Sequence, residues 1–216
     1  MTETMTETVT VTVTAPLWAP ARRRGRPPAS QAAVTRERIL RAAQQVFAES
    51  GYEAATFQAI AANIGLTRPA INNYFNCKSA LYEEVVGRVS DALLDAIGVA
   101  SAEPTLAGQI LTFIRTAMRE DDADPSPAGF LVQSVMDVGH IPAGGRRAAR
   151  LIERFVHTAV GSAVQRGEIS ADQDGLTDML MGMVWGTAFQ LARGDGIRAD
   201  RMLTQLCGVL DQGLVH

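Results

Sequence analysis

The stretch "ARRRGRPP", residues 21–28, places Arg22, Arg23, Arg24 and Arg26 within eight residues of a chain whose formal net charge is −3. Guanidinium groups at this density suit a polyanion, because each is permanently charged and offers a fixed fork of N–H donors to phosphate or base oxygens. A second set of polar groups lies in "LTRPAINNYF", residues 66–75. Read as a short helix, it puts Ile71 and Phe75, four apart, on a buried face and Thr67, Arg68, Pro69, Ala70, Asn72, Asn73 and Tyr74 on the other. Arg68 can bridge guanine O6 and N7, an Asn can bridge adenine N6 and N7, and Ala70 can meet a thymine methyl. The chemistry is base-edge reading.

Such side chains need a scaffold, and the flanking sequence supplies one. From Thr35 the apolar period is 3.6, with Ile39, Leu40, Ala43, Val46 and Phe47 on one face. This predicts an amphipathic helix capped by Thr35 and stopped by Gly51. "TFQAIAANI", residues 56–64, reads as a short helix with Thr56 as N-cap, Ile60 and Ile64 inward, and Gly65 as its end. Thr67 then caps the next helix, and Pro69 is tolerable only in a first turn. Two short helices joined through a glycine turn make a helix-turn-helix, whose second member enters the major groove with its N-terminal residues toward base edges. Thr56, opening the preceding helix, and Lys78, opening the next, stand where helix N-termini and side-chain donors hold phosphates.

Beyond Lys78 the pattern stays helical, with segments near 78–97, 104–120, 127–138, 144–167, 172–193 and 199–213. The expected fold class is all-α. Ser126 and Pro127 read as N-cap and first helical residue, Ser170 and Gln173 as a capping box, and "RGDGIRAD" as a break. Residues 1–34, with their Thr-Glu-Thr repeats and Val-Thr alternation, read as a disordered tail carrying the basic arm 22–28. The Val-Thr run could also pair with a sheet edge elsewhere. The expected organisation is therefore a tail over 1–34, a helix-turn-helix domain over 35–80, and a helical second domain over 81–216.

Charge divides the same way. Residues 21–90 carry ten basic and five acidic side chains, whereas residues 91–216 carry ten basic and sixteen acidic. A basic front suits a polyanion and an acidic rear does not. Cys77 and Cys207 make neither a disulfide framework nor a metal-ligand spacing, and His140 and His157 lack partners at ligand distance, so no metal and a reducing cytoplasm are expected. No apolar run reaches the roughly 18–20 residues that span a bilayer, so no membrane association is expected. "GDGIRA" has dinucleotide-fingerprint glycines but follows a helix, not a strand, and fails its context. No nucleophile elbow, carboxylate pair or phosphate loop points to an enzyme.

Residues 35–86, "TRERILRAAQQVFAESGYEAATFQAIAANIGLTRPAINNYFNCKSALYEEVV", resemble the DNA-binding domain of the TetR/AcrR family of bacterial transcriptional regulators. The resemblance rests on the "FAESGYEAAT" helix end, the "IAANIGLTRPAI" turn, the aromatic "YF" and "KSAL" opening a fourth helix. It implies that Thr56, Thr67, Arg68, Pro69, Ala70, Asn72, Tyr74 and Lys78 occupy DNA-contacting positions. Asn72 stands where the family usually has a phosphate-binding Tyr, Tyr74 where it often has His, and Cys77 where Asn or Ser commonly caps the fourth helix. The resemblance further implies a homodimer built on the last two helices, an inverted-repeat operator in double-stranded DNA, and an internal cavity for an unidentified small-molecule effector. No cofactor is implied.

The Met-rich helix "DGLTDMLMGMVWGTAFQLARG", residues 174–194, is apolar around more than one face, so it should be covered on both sides. Gly182 and Gly186, four apart, suit a close helix–helix seam. Phe113, Met118, Phe130, Met136, Phe155, Met181, Trp185 and Phe189 either line an adaptable apolar pocket or belong to ordinary core. The Arg-Gly-Arg-Pro core of the arm resembles an AT-hook, whose arginines lie in a narrow A·T-rich minor groove; an arm that feels phosphate alone is the alternative. The functional expectation is a sequence-specific transcriptional regulator, a repressor released by a small apolar or amphipathic effector. The alternatives are an activator of the same fold and an architectural A·T-preferring DNA binder.

Overall fold

A computed structural model describes residues 29–118, 125–137, 145–170, 174–193, 201–205 and 208. Its elements are α1 (Ala29–Ala54), α2 (Phe57–Asn63), α3 (Arg68–Asn72), α4 (Lys78–Ala100), α5 (Leu106–Ala117), α6 (Pro127–Met136), α7 (Gly145–Gln165) and α8 (Asp174–Ala192). A short helical segment follows at 201–205. Among the described residues the secondary structure is all-α, a helix-turn-helix domain joined to a helical second part, as the periodicity predicts.

The start of α1 corrects the sequence reading. The helix begins at Ala29, and Thr35 is not its cap: the Thr35 hydroxyl donates back to the Gln31 carbonyl at 2.9 Å, within an established helix. Ala29, Gln31, Ala32 and Ala33 are good helix formers, and their run outweighs the capping preference of a single threonine. At its other end the regular helix stops at Gly51, as the sequence predicts, and a short helical stretch resumes beyond a kink. Gly51 has φ 74 and ψ 173, a conformation open to glycine, and the chain continues helically to Ala54 beyond the kink.

Local chemistry accounts for the remaining ends. Thr56 caps α2 by accepting from Ala59 N–H at 3.1 Å, Thr105 caps α5 by accepting from Gly108 N–H at 3.1 Å, and Ser126 caps α6 ahead of Pro127 by accepting from Ala128 N–H at 3.2 Å. Thr67 and Cys77 precede α3 and α4 in extended conformation without a side-chain cap bond. Ser170 is described, but Gln173, its expected capping partner, lies outside the described residues.

One apolar core runs through the described helices. An aromatic cluster marks the junction of the two parts: Tyr82 of α4 meets Phe47 and Tyr52 of α1 edge-on, with ring centroids 5.0 and 4.9 Å away, and Phe130 of α6 at 5.4 Å. Burial pushes the Tyr82 phenol well above its usual range, with the nearby Asp137 carboxylate adding to the effect. Glu168, beyond the end of α7, accepts from Leu106 N–H at 2.7 Å and brings the end of α7 to the start of α5.

The Met-rich α8 is covered by its own chain on one side. Leu176, Leu180, Val184 and Ala188 are buried in a row, whereas Met179, Gly182 and Phe189 are exposed on another face. Gly186 lies toward the 201–205 segment, where an added Cβ would be 3.8 Å from the Met202 methyl carbon; Gly182 has open space. Among the described residues, no helix is long and apolar enough to cross a membrane.

Candidate nucleic-acid interface

The turn between α2 and α3 is made by Gly65, whose φ of +67 suits a residue without a Cβ. Ile60 and Ile71 are fully buried and Phe75 nearly so, and they join the two short helices to the core that α1 and α4 also line. Arg38 of α1 closes the C-terminal end of α2 by donating to the Ile64 carbonyl at 3.1 Å. The sequence reading missed this role, since nothing local distinguishes Arg38 from a solvated helix-face arginine.

This packing fixes which groups α3 presents. Thr67, Arg68, Pro69, Asn72 and Asn73 are exposed, and Ala70 and Tyr74 are half-buried. Tyr74 packs partly against the core, so its ring is held while its edge reaches the surface. Thr56 is exposed at the head of α2, its hydroxyl oxygen occupied by capping. The predicted recognition residues are thus brought onto one contiguous surface. Arg22, Arg23, Arg24 and Arg26 lie outside the described residues.

The other cations of this region are engaged within the protein. Arg36 pairs with Glu84 and lies over the Phe75 ring, 4.9 Å from its centroid; Arg88 pairs with Glu37, and Arg41 lies 3.4 Å from the same carboxylate. Lys78 donates to the Tyr52 and Glu53 carbonyls at 2.6 and 2.9 Å, with its ammonium 4.5 Å from the Tyr52 ring centroid. That lysine is therefore a clasp between the end of α1 and the start of α4, and two of its three N–H donors are committed. Arg68 differs: it is exposed on α3, with no protein partner among the described residues.

Lys78→Ala is accordingly expected to lower unfolding stability by about 2 kcal/mol, the loss of two hydrogen bonds from a charged donor together with a cation–π contact. Urea unfolding checks this; an unchanged midpoint would mean that the clasp contributes nothing.

Cys77 is exposed, its Sγ 3.1 Å from the Ser79 hydroxyl; that hydrogen bond is the main cause holding its thiol below the usual range. Cys207 lies outside the described residues. Among the described residues no three His, Cys, Asp or Glu side chains form a group that could hold a metal ion.

The eight apolar positions predicted as a pocket lining do not share one environment. Phe113, Met118, Phe130 and Phe155 are buried, with Phe113 and Phe155 paired at 4.7 Å between centroids. Met181 and Trp185 are half-buried, whereas Met136 and Phe189 are 60% and 38% exposed. An apolar period identifies such residues without indicating which face a neighbour covers.

Together, the short α2, the glycine turn and α3 with its exposed N-terminal half define a helix-turn-helix protein. Residues 39–85 match the model of bacterial regulatory proteins of the tetR family. The HTH-type transcriptional repressor BepR of Brucella suis biovar 1 (strain 1330) is 44% identical over 59 residues, a match spanning 27% of this chain and 28% of that protein. Two solved structures extend the likeness beyond that segment. A TetR transcriptional regulator from Chloroflexus aurantiacus is 22% identical, with a TM-score of 0.65 over 85% of this chain and 97% of its own. The transcriptional regulator FadR from Bacillus subtilis, solved with stearoyl-CoA, is 18% identical, with a TM-score of 0.57 over 82% and 98%. At these identities the likeness is one of fold. Residues 39–85 are thus similar to the tetR-family helix-turn-helix domain, and the chain as a whole shares the fold of these TetR structures, while spanning only about a quarter of the length of the curated relative it matches.

Proposed function

We propose that this protein is a transcriptional repressor that binds an inverted-repeat operator in double-stranded DNA as a homodimer and is released by a small apolar or amphipathic effector. The exposed polar edge of α3 carries the reading. Arg68 stands there with no protein partner among the described residues, while the surrounding cations are spent on internal contacts. In this reading Thr67, Arg68, Pro69, Ala70, Asn72, Asn73 and Tyr74 meet the major groove, and Thr56, the remaining donor of Lys78 and the arginine arm meet phosphate or the neighbouring groove.

A five-residue recognition helix reads too few bases to specify a site alone, so two copies must span successive major grooves about 34–36 Å apart or a little more. The uncovered face of α8, with Met179, Gly182 and Phe189, is the surface for the second copy. In this reading the effector meets the helices α5 to α8, where Met181 and Trp185 are half-buried and Phe113, Met118, Phe130 and Phe155 are buried. The stearoyl-CoA of the FadR relative and the repressor name of BepR support an apolar effector and repression. Met136 and Phe189, exposed in the single chain, are left out of this lining.

Selection of bound fragments from the source genome, followed by footprinting, tests the proposal. A single protected inverted repeat is expected. Arg68→Ala should then cost about 1–3 kcal/mol and relax preference at one base position in each half-site. Extended protection indifferent to sequence would instead identify an architectural A·T-preferring binder.

A further inference from the structure

α6 ends at Met136, and the next residue, Asp137, points its carboxylate back across the junction between the two parts. Its Oδ2 accepts from Tyr52 N–H at 3.1 Å, and its Oδ1 accepts from the Gln133 side-chain amide at 2.8 Å. These groups press directly on the bend of α1: a Cβ at Gly51 would lie 2.9 Å from Gln133 Nε2 and 3.0 Å from each Asp137 carboxylate oxygen. Just past the bend, the Tyr52 and Glu53 carbonyls hold Lys78, the first residue of α4. Only the segment 73–77 joins that lysine to the recognition helix α3.

We propose that Asp137 is a positioning residue for DNA recognition, acting through the Gly51–Tyr52 bend and the Lys78 clasp; this rests on the regulator reading above. The electrostatics support a dedicated role. A carboxylate at the C-terminal end of a helix is disfavoured by the helix dipole, so the position is unfavourable unless outside donors compensate, as Tyr52 N–H and the Gln133 amide do. The opposite end of α6 is held to α1 as well, through the Gln44 amide donating to the Pro125 carbonyl at 2.8 Å. α1 is thus gripped at two points along α6, once by a neutral bond and once by a charged one. A shift of the α6 end by about 1 Å would take the charged bond beyond hydrogen-bonding distance and release the bend. The orientation of α3 then depends on where α6 ends.

The test compares Asp137→Leu, which removes both acceptors, with Asp137→Asn. In the latter the amide oxygen can still accept from Tyr52 N–H while its NH₂ donates to Gln133 Oε1 after a flip of the glutamine amide. The probe is a duplex obtained by in vitro selection with the full chain, set against a scrambled duplex of the same composition. Asp137→Leu should lower the selected-to-scrambled affinity ratio about tenfold and accelerate hydrogen exchange at Tyr52 N–H, whereas Asp137→Asn should stay within about twofold of the starting protein. An Asp137→Leu protein that is folded at the assay temperature and keeps the original ratio would overturn the proposal, even with a lowered melting temperature, since that is the behaviour of a merely structural residue. Should Asp137→Leu fail to fold, Gln133→Met leaves the Tyr52 bond but frees the carboxylate to rotate. It should lower the ratio about threefold, and no change would again overturn the proposal. A selection that yields no preferred sequence would overturn the regulator reading itself, and the proposal with it.

Discussion

Gly51→Ala is expected to destabilise the protein by about 3 kcal/mol. The backbone there, φ 74 and ψ 173, lies in a region that is essentially glycine's, and holding any other residue in it costs on the order of 1–3 kcal/mol. The methyl group would also meet the Gln133 amide and both carboxylate oxygens of Asp137; the glutamine end can swing aside, but the carboxylate retreats only by loosening the Tyr52 bond, an added loss of about 1–3 kcal/mol. For a chain of this size the total corresponds to a melting temperature roughly 6–12 °C lower. Gly65→Ala is the control. Its φ is +67, but nothing lies within 4 Å of an added Cβ, so only the backbone penalty of roughly 1–2 kcal/mol applies. Calorimetry showing equal shifts for the two variants would mean that the carboxylate contact is irrelevant to the bend.

The second large effect is expected from deleting residues 1–27. Because Arg36, Arg38, Arg41, Lys78 and Arg88 are engaged inside the protein, Arg68 and the four arginines at 22–26 carry much of the charge open to DNA. If each arm arginine neutralises one phosphate, the deletion should flatten the log–log salt slope by about 3.6 and cost on the order of a thousandfold in affinity near 0.1 M salt. Titrating full-length and truncated protein against A·T-rich and G·C-rich flanks at two salt concentrations separates the modes of contact. Insertion into the minor groove predicts a penalty about tenfold larger on A·T-rich flanks. A penalty independent of flank would assign the arginines to phosphate alone.

Much of the recognition unit was legible because its signals are local. Thr56 as a cap, Gly65 as the turn, and the four-residue spacing of Ile71 and Phe75 each announce their own geometry, and the ends of α5 to α8 fall close to their predicted limits for the same reason. The start of α1 is hidden in the sequence because Thr35 has the type of a capping residue, whereas the alanine-rich run before it carries helix propensity without any landmark. The internal contacts of Lys78 are not legible, because its acceptors, the Tyr52 and Glu53 carbonyls, lie 26 and 25 residues earlier in the chain. The contact of Asp137 with Tyr52 spans 85 residues and was invisible; its one local trace is an acid placed at the end of a helix where the dipole disfavours it. Met136 and Phe189 show the same limit for apolar residues, since period reveals a face but not what covers it.

The early beginning of α1 also limits what the arginines can search. Three peptide units join Arg26 to Ala29, so their Cα atoms can be separated by no more than about 11 Å. Had α1 begun at Thr35, nine units would have allowed about 32 Å. The accessible volume shrinks as the cube of that ratio, roughly twenty-five-fold, and the effective concentration of guanidinium near its target rises accordingly. A short leash on a rigid anchor also sets phase. On the proposed reading, the Cα of Arg26 must fall within about three base pairs of the point at which the first turn of α1 arrives, at 3.4 Å per base pair. If the arm enters the minor groove as proposed, flank composition is expected to matter at one fixed distance from each half-site, and an A·T block moved by half a helical turn presents its minor groove on the far side of the duplex.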